Sequence, residues 1–68
     1  MKSLTVYVIV NAKNQFLNIK NFSRDEYSFE EDLSTDCISS YTEGIMLIID
    51  FLRKHGESIV LKSLRITF

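Results

Sequence analysis

The sequence predicts an α+β fold: a small, mainly antiparallel sheet of three to four strands with one principal helix packed on one face. Three stretches carry that expectation. "LTVYVIV" (4–10) is a run of β-branched and aromatic residues, the composition of a strand. "YTEGIMLIIDFLRKHG" (41–56) repeats its apolar residues at helical spacing. "SIVLKSLRITF" (58–68) returns to strand composition. Sixty-eight residues leave room for one domain, 1–68, and its core is marginal, because a chain of this size buries only about 60 % of its unfolded surface.

In the first strand Leu4, Val6, Val8 and Val10 share one face, and Thr5, Tyr7 and Ile9 share the other. Both faces are apolar enough to be covered, as in a central strand. "NAKNQ" (11–15) is a polar turn whose asparagines tolerate left-handed backbone. "FLNIKNF" (16–22) reads as the return strand of a hairpin. "SRDE" (23–26) has the capping-box spacing and forms either one helical turn or a polar loop. "YSFEEDL" (27–33) reads as a short third strand or extended segment, and "STDC" (34–37) has room for a helical turn.

The helix is expected to open on a second capping box, Ser40 with Glu43. Arg53, Lys54 and His55 lie in its last turn, where cations suit the negative end of the helix dipole, and Gly56 fits the left-handed position after it. In the closing strand Ile59 and Leu61 have one alternation phase, and Leu64, Ile66 and Phe68 the other. A bulge near Lys62–Ser63 would reconcile them. The simplest arrangement pairs this strand beside the first.

On a helical wheel Tyr41, Ile45, Ile48, Ile49 and Leu52 form a central apolar stripe, opposite Thr42, Glu43, Asp50, Arg53 and Lys54. Leu47 and Phe51 fall off the far edge of the stripe, so the apolar arc is roughly twice the ~100° that one sheet contact requires. Either a twisted sheet and the aromatics of residues 22–29 cover Leu47 and Phe51, or these two form a second contact face, for a homodimer or a partner protein.

Charge is segregated along the chain. Residues 1–24 carry four bases and no acid, residues 25–50 eight acids and no base, and residues 51–68 four bases and one acid. The acids Asp25, Glu26, Glu30, Glu31 and Asp32 are the densest group, a candidate surface for docking on a basic protein face by steering and complementarity. On an edge strand the same charges would also block aggregation.

Little in the chain points to chemistry. Cys37 is the only cysteine and His55 the only histidine, which excludes an intramolecular disulfide and zinc-type spacings. Cys37 among Leu33, Ile38 and Tyr41 suits a small buried filler. The glycine-rich phosphate loop and the calcium-loop pattern are absent, and neighbouring carboxylates of "EED" (30–32) point to opposite faces of a strand, a poor arrangement for chelation. No cofactor and no metal site is expected, and no enzyme. The bases are too scattered to predict a nucleic-acid site. Lys2 before an apolar run mimics a signal peptide, but the run is short and alternates like a strand, and no stretch approaches a membrane span. A cytoplasmic protein is the expectation.

"YVIVNAKNQFLNI" (7–19) followed by "FEEDLSTDCISSYTEGIMLIIDFLRKHG" (29–56) and a closing strand resembles short accessory proteins encoded by tailed bacteriophages. These show a hairpin, an acidic F-x-x-D-L segment, a small residue four on, a capped helix and a last strand. Here the segment is Phe29, Asp32 and Leu33, the small residue is Cys37, and the helix opens at Ser40–Glu43. Cys37 and Gly44 stand where Ala is usual. The order of elements is also similar to a small phage antitoxin that neutralises a host RNase toxin. The resemblance implies a non-enzymatic inhibitor or modulator of a host protein (a defence nuclease, a toxin or a nucleic-acid enzyme), and it transfers no functional residue. The alternatives are a structural or assembly homodimer and, behind it, a small nucleic-acid binder.

Overall fold

The computed structural model describes residues 2–67. Its elements run β1 (Ser3–Asn11), β2 (Phe16–Leu17), β3 (Phe29–Glu30), a 3-10 turn (Thr35–Cys37), α1 (Thr42–Lys54) and β4 (Ile59–Thr67). The strands form one antiparallel sheet in the order β3-β2-β1-β4, with α1 on one face, as the residue pattern predicts.

β1 is the central long strand. It pairs with β4 along its whole length, Ser3 opposite Thr67 through Asn11 opposite Ile59, one residue to one residue. The bulge expected at Lys62–Ser63 is therefore absent. The phase change is real but needs no bulge: paired residues share a face, so Ile59 and Leu61 go with Ile9 and Asn11 toward α1, while Val60, Leu64 and Ile66 go with Val10, Val6 and Leu4 to the other side.

The turn after β1 is built by Asn11. Its Oδ1 accepts the N–H groups of Lys13 and Gln15, each at 2.9 Å, and Asn14 takes φ +60°. The return strand is shorter than the apolar alternation of 16–22 suggests. At Asn18 the chain turns away: its side-chain oxygen accepts the N–H of Asn21, and Lys20 N–H reaches the Asp36 carbonyl. The vacated side of β1 is filled from further along. Tyr7 and Ser39 exchange both backbone hydrogen bonds, at 2.8 and 3.1 Å.

That bridge also displaces the expected helix cap. With Ser39 held in a ladder, Ser40 stays outside the helix and Tyr41 becomes the N-cap, with no side-chain cap bond. Ser39 Oγ accepts the Tyr41 N–H instead, at 3.1 Å, and the Ser40–Glu43 box is not made. The other end follows the sequence. Gly56 has φ +83°, its N–H bonds the Arg53 carbonyl, and Glu57 N–H bonds the Leu52 carbonyl, which is the Schellman pattern.

Ile9, Leu17, Ile45, Ile49, Leu52 and Ile59 form the buried cluster between sheet and helix, with Phe22, Tyr27, Phe29 and Phe51 packed around it. Burying a Leu or Ile side chain contributes about 1.5–3 kcal/mol, so these six positions carry most of what holds α1 down. Val6, Val8 and Val10 are buried on the opposite face. Cys37 is fully buried there too: its sulfur lies 3.9 Å from Glu30, whose register partner Phe16 stands opposite Val10.

Candidate protein-binding surface

The structure divides the five candidate acids. Glu30 lies in β3, is half-buried, and accepts a hydrogen bond from the side-chain amide of the buried Asn18. Its position is set by packing, and it holds the β2–β3 strip together. Asp25 and Glu26 sit in a tight turn where the Ser23 hydroxyl accepts Glu26 N–H at 3.0 Å, and the four residues form a polar loop and not a helical turn. Glu31 and Asp32 follow β3 on the far side of Tyr27–Glu30. These four are exposed, and none is in a salt bridge among the described residues. Tyr27–Glu30 separates the two pairs along the chain, so Glu26 and Glu31 stand at most about 17 Å apart.

Leu47 and Phe51 also part. Phe51 is half-buried under the chain's own aromatics: its ring meets Phe22 edge-on at 5.7 Å and Tyr27 at 6.4 Å, and stacks on His55 at 4.2 Å. Such contacts add about 0.5–1.5 kcal/mol each beyond area burial. Leu47 is 73 % exposed. It borders two depressions. One is lined with Phe22, Arg24, Ile48, Phe51 and Lys54, the other with Thr42, Glu43, Met46 and Asp50. Through Arg24 the first reaches the Asp25–Glu26 turn. Tyr41, expected in the apolar stripe, is 64 % exposed, because it precedes the helix and its ring folds over Gly44. A Cβ on Gly44 would stand 2.7 Å from that ring, so a side chain there requires the exposed Tyr41 ring to swing aside.

Cys37 and His55 are not brought together. Cys37 is buried on the valine face, beside Ser34 Oγ at 3.6 Å, and His55 caps α1 on the other side of the sheet with Nδ1 3.2 Å from the Phe51 carbonyl. Among the described residues no three His, Cys, Asp or Glu side chains gather where they could hold a metal ion, and no helix is long and apolar enough to cross a membrane. Of the bases, Arg24 and Lys54 border one depression. Lys20 pairs with Asp36 at 3.8 Å, Lys54 pairs with Asp50 at 3.0 Å, and β4 sends Lys62 to one face and Arg65 to the other.

Two contributors escaped the reading of the sequence. Asn18 is buried and satisfied on both ends of its amide, a role its alternation with Leu17 and Ile19 does not reveal. Met46 is 56 % exposed beside Leu47 and widens the apolar ridge of α1; the helical wheel, applied to its neighbours, could have shown it. No protein-family model, curated protein or solved structure matches the chain.

Proposed function

We propose that the chain is a non-enzymatic protein-binding module, phage-encoded, that inhibits or modulates a host protein carrying a basic face. The observation that supports this most is the set of exposed carboxylates without a salt bridge, Asp25, Glu26, Glu31 and Asp32, together with an α1 ridge that leaves Met46 and Leu47 uncovered and borders Arg24 of the Asp25–Glu26 turn. Exposed acids steer a basic partner and set register, and one desolvated aliphatic anchor adds affinity that charge alone does not. A defence nuclease, a toxin or another nucleic-acid enzyme has the required basic groove.

Glu30 must be left out of the test, since its loss would disturb Asn18. The chain with Asp25, Glu26, Glu31 and Asp32 all replaced by serine is compared with the native chain in capture from bacterial lysate at increasing salt. The native chain is expected to retain a basic protein at low salt and release it as salt rises, while the substituted chain, equally folded by circular dichroism, retains it poorly at every salt concentration. Equal retention by the two chains overturns the acidic surface.

A further inference from the structure

The β4 edge of the sheet is open. β4 is the last strand in the order β3-β2-β1-β4, and residues 60–67 are all exposed. Which of its backbone groups point outward follows from β1. Tyr7 gives both its N–H and its carbonyl to Ser39, on the side away from β4. In an antiparallel ladder these groups alternate in direction, so Leu4, Val6, Val8 and Val10 are the β1 residues that bond β4. Their partners are Ile66, Leu64, Lys62 and Val60. The alternate residues Ile59, Leu61, Ser63, Arg65 and Thr67 therefore aim their N–H and C=O groups at solvent.

Natural edge strands are usually short, bulged, proline-bearing or heavily charged. β4 runs nine residues, pairs without a bulge, and contains no proline and no glycine. Val60, Leu61, Leu64 and Ile66 are exposed along it, and Leu4 beside Ile66 extends the apolar strip on the face away from α1. Its only gatekeepers are Lys62 and Arg65.

We infer that β4 pairs antiparallel with β4 of a second copy of this chain, with Ser63 on the two-fold axis, joining two sheets into one of eight strands. This is independent of the acidic surface above. The register follows from the strand itself. With Ser63 opposite Ser63 of the second copy, Val60 meets Ile66, Leu61 meets Arg65 and Leu64 meets Lys62, and all nine residues overlap. Aliphatic side chains lie against one another or against the stems of the basic residues, and no like charges stand directly opposite. Centring one residue earlier sets Lys62 against Lys62, and centring two later sets Arg65 against Arg65. Centring on Leu64 leaves Ile59 and Val60 without partners among the nine residues of β4.

The outward groups would make about ten backbone hydrogen bonds, the number found in a typical interface. The contact strip is about 30 Å long and ~10 Å deep, or ~300 Å² on each copy against the ~800 Å² of a standard interface. Directional bonds and not area hold this dimer, which places it in the weak, concentration-dependent class. Both helices fall on the same face of the joined sheet, and the two acidic β3 ends lie at its far extremes.

The test is solution mass by sedimentation over micromolar to millimolar concentration, for the native chain and for Ser63→Pro, Leu47→Asp and Ser63→Cys. The native mass is expected to climb from 7.9 kDa toward twice that value. Ser63→Pro removes an outward donor while leaving the β1–β4 bonds in place, and should stay monomeric with an unchanged fold; Leu47→Asp should still dimerise. Ser63→Cys should give a covalent dimer on mild oxidation, since paired Cα atoms at about 5.5 Å suit a disulfide and Cys37 is buried. The cross-link keeps the test valid if the proline variant misfolds. A native chain that remains monomeric throughout overturns the inference. So does a dimer that Ser63→Cys fails to trap, or one that Leu47→Asp abolishes.

Discussion

One edge of this sheet offers two residues and the other nine. β3 consists of Phe29 and Glu30, each half-buried, with Glu30 tied to Asn18 and acids at both chain ends of the stretch. β4 is exposed from Val60 to Thr67 and carries two bases on opposite faces. The short edge is tied down by its own side chains and flanked by acids that oppose strand pairing. The long one leaves a row of backbone donors and acceptors open. Brevity and charge at β3, and length without a bulge at β4, give one sheet an edge protected against strand addition and an edge open to it.

The largest expected effect separates the two edges by their dependence on the core. Leu17 of β2 is fully buried in the cluster under α1, whereas Leu64 of β4 is 37 % exposed. Leu17→Ala should cost about 2–5 kcal/mol in urea unfolding, and Leu64→Ala, which leaves no sealed cavity, ~1 kcal/mol or less at concentrations where the chain is monomeric. A domain of this length has roughly 3–10 kcal/mol in total, so Leu17→Ala brings it to the margin of folding. Equal losses at the two positions would mean that β4 is covered and the edges are alike.

Next in size is the polar tie of the short edge. Asn18 N–H bonds the Ser28 carbonyl, and its side chain serves Asn21 and Glu30 together. Asn18→Ala leaves a half-buried carboxylate and a backbone N–H without their partners, for a loss of about 1–3 kcal/mol. Hydrogen exchange should show that loss as faster opening at residues 17–30, with β1–β4 amides following only the global change. Uniform acceleration across both edges would dissolve the distinction.

Much of this contrast was not available from the residues alone, and the reason is range. β1, the body of α1 and the Gly56 turn depend on neighbours within a few positions, and periodicity finds them. The lost Ser40–Glu43 cap and the outward turn of Tyr41 trace to one long-range bridge, Tyr7 with Ser39, and the shortening of β2 goes with the bonds of Asn18 to Glu30 and of Lys20 to Asp36. The separation of Phe51 from Leu47 depends on Phe22 and Tyr27 folding back over one and not the other. The apolar content of β4 reads as burial; strand order, which periodicity does not encode, makes it an open edge. For the candidate acids, composition marked the cluster, while the inward role of Glu30 depends on its register with Phe16.

The turn that delivers β4 to the sheet allows a finer test. Gly56 holds φ +83° with open space around its Cα, so a side chain there meets backbone strain and no clash. Gly56→Ala should cost about 1–2 kcal/mol, and Gly56→Asn less, because asparagine adopts the left-handed region more readily. Both variants should leave the β2–β3 network intact by its amide chemical shifts. A loss that is the same for Ala and Asn would point to packing and not to backbone conformation.

The smallest effect is the most informative about function. Glu31 and Asp32 are exposed beside β3 and make no hydrogen bond or salt bridge from their side chains among the described residues. Replacing both with serine should change stability by no more than ~0.5 kcal/mol, since exposed side chains without partners contribute little to the folded state. If they only protect the edge, the substituted chain should self-associate through β3 and gain mass that Ser63→Pro does not remove. If they are a docking surface, the chain should keep its native mass and lose a basic partner. The two outcomes have opposite signatures in the same sedimentation run, and they separate a charge kept for solubility from a charge kept for binding.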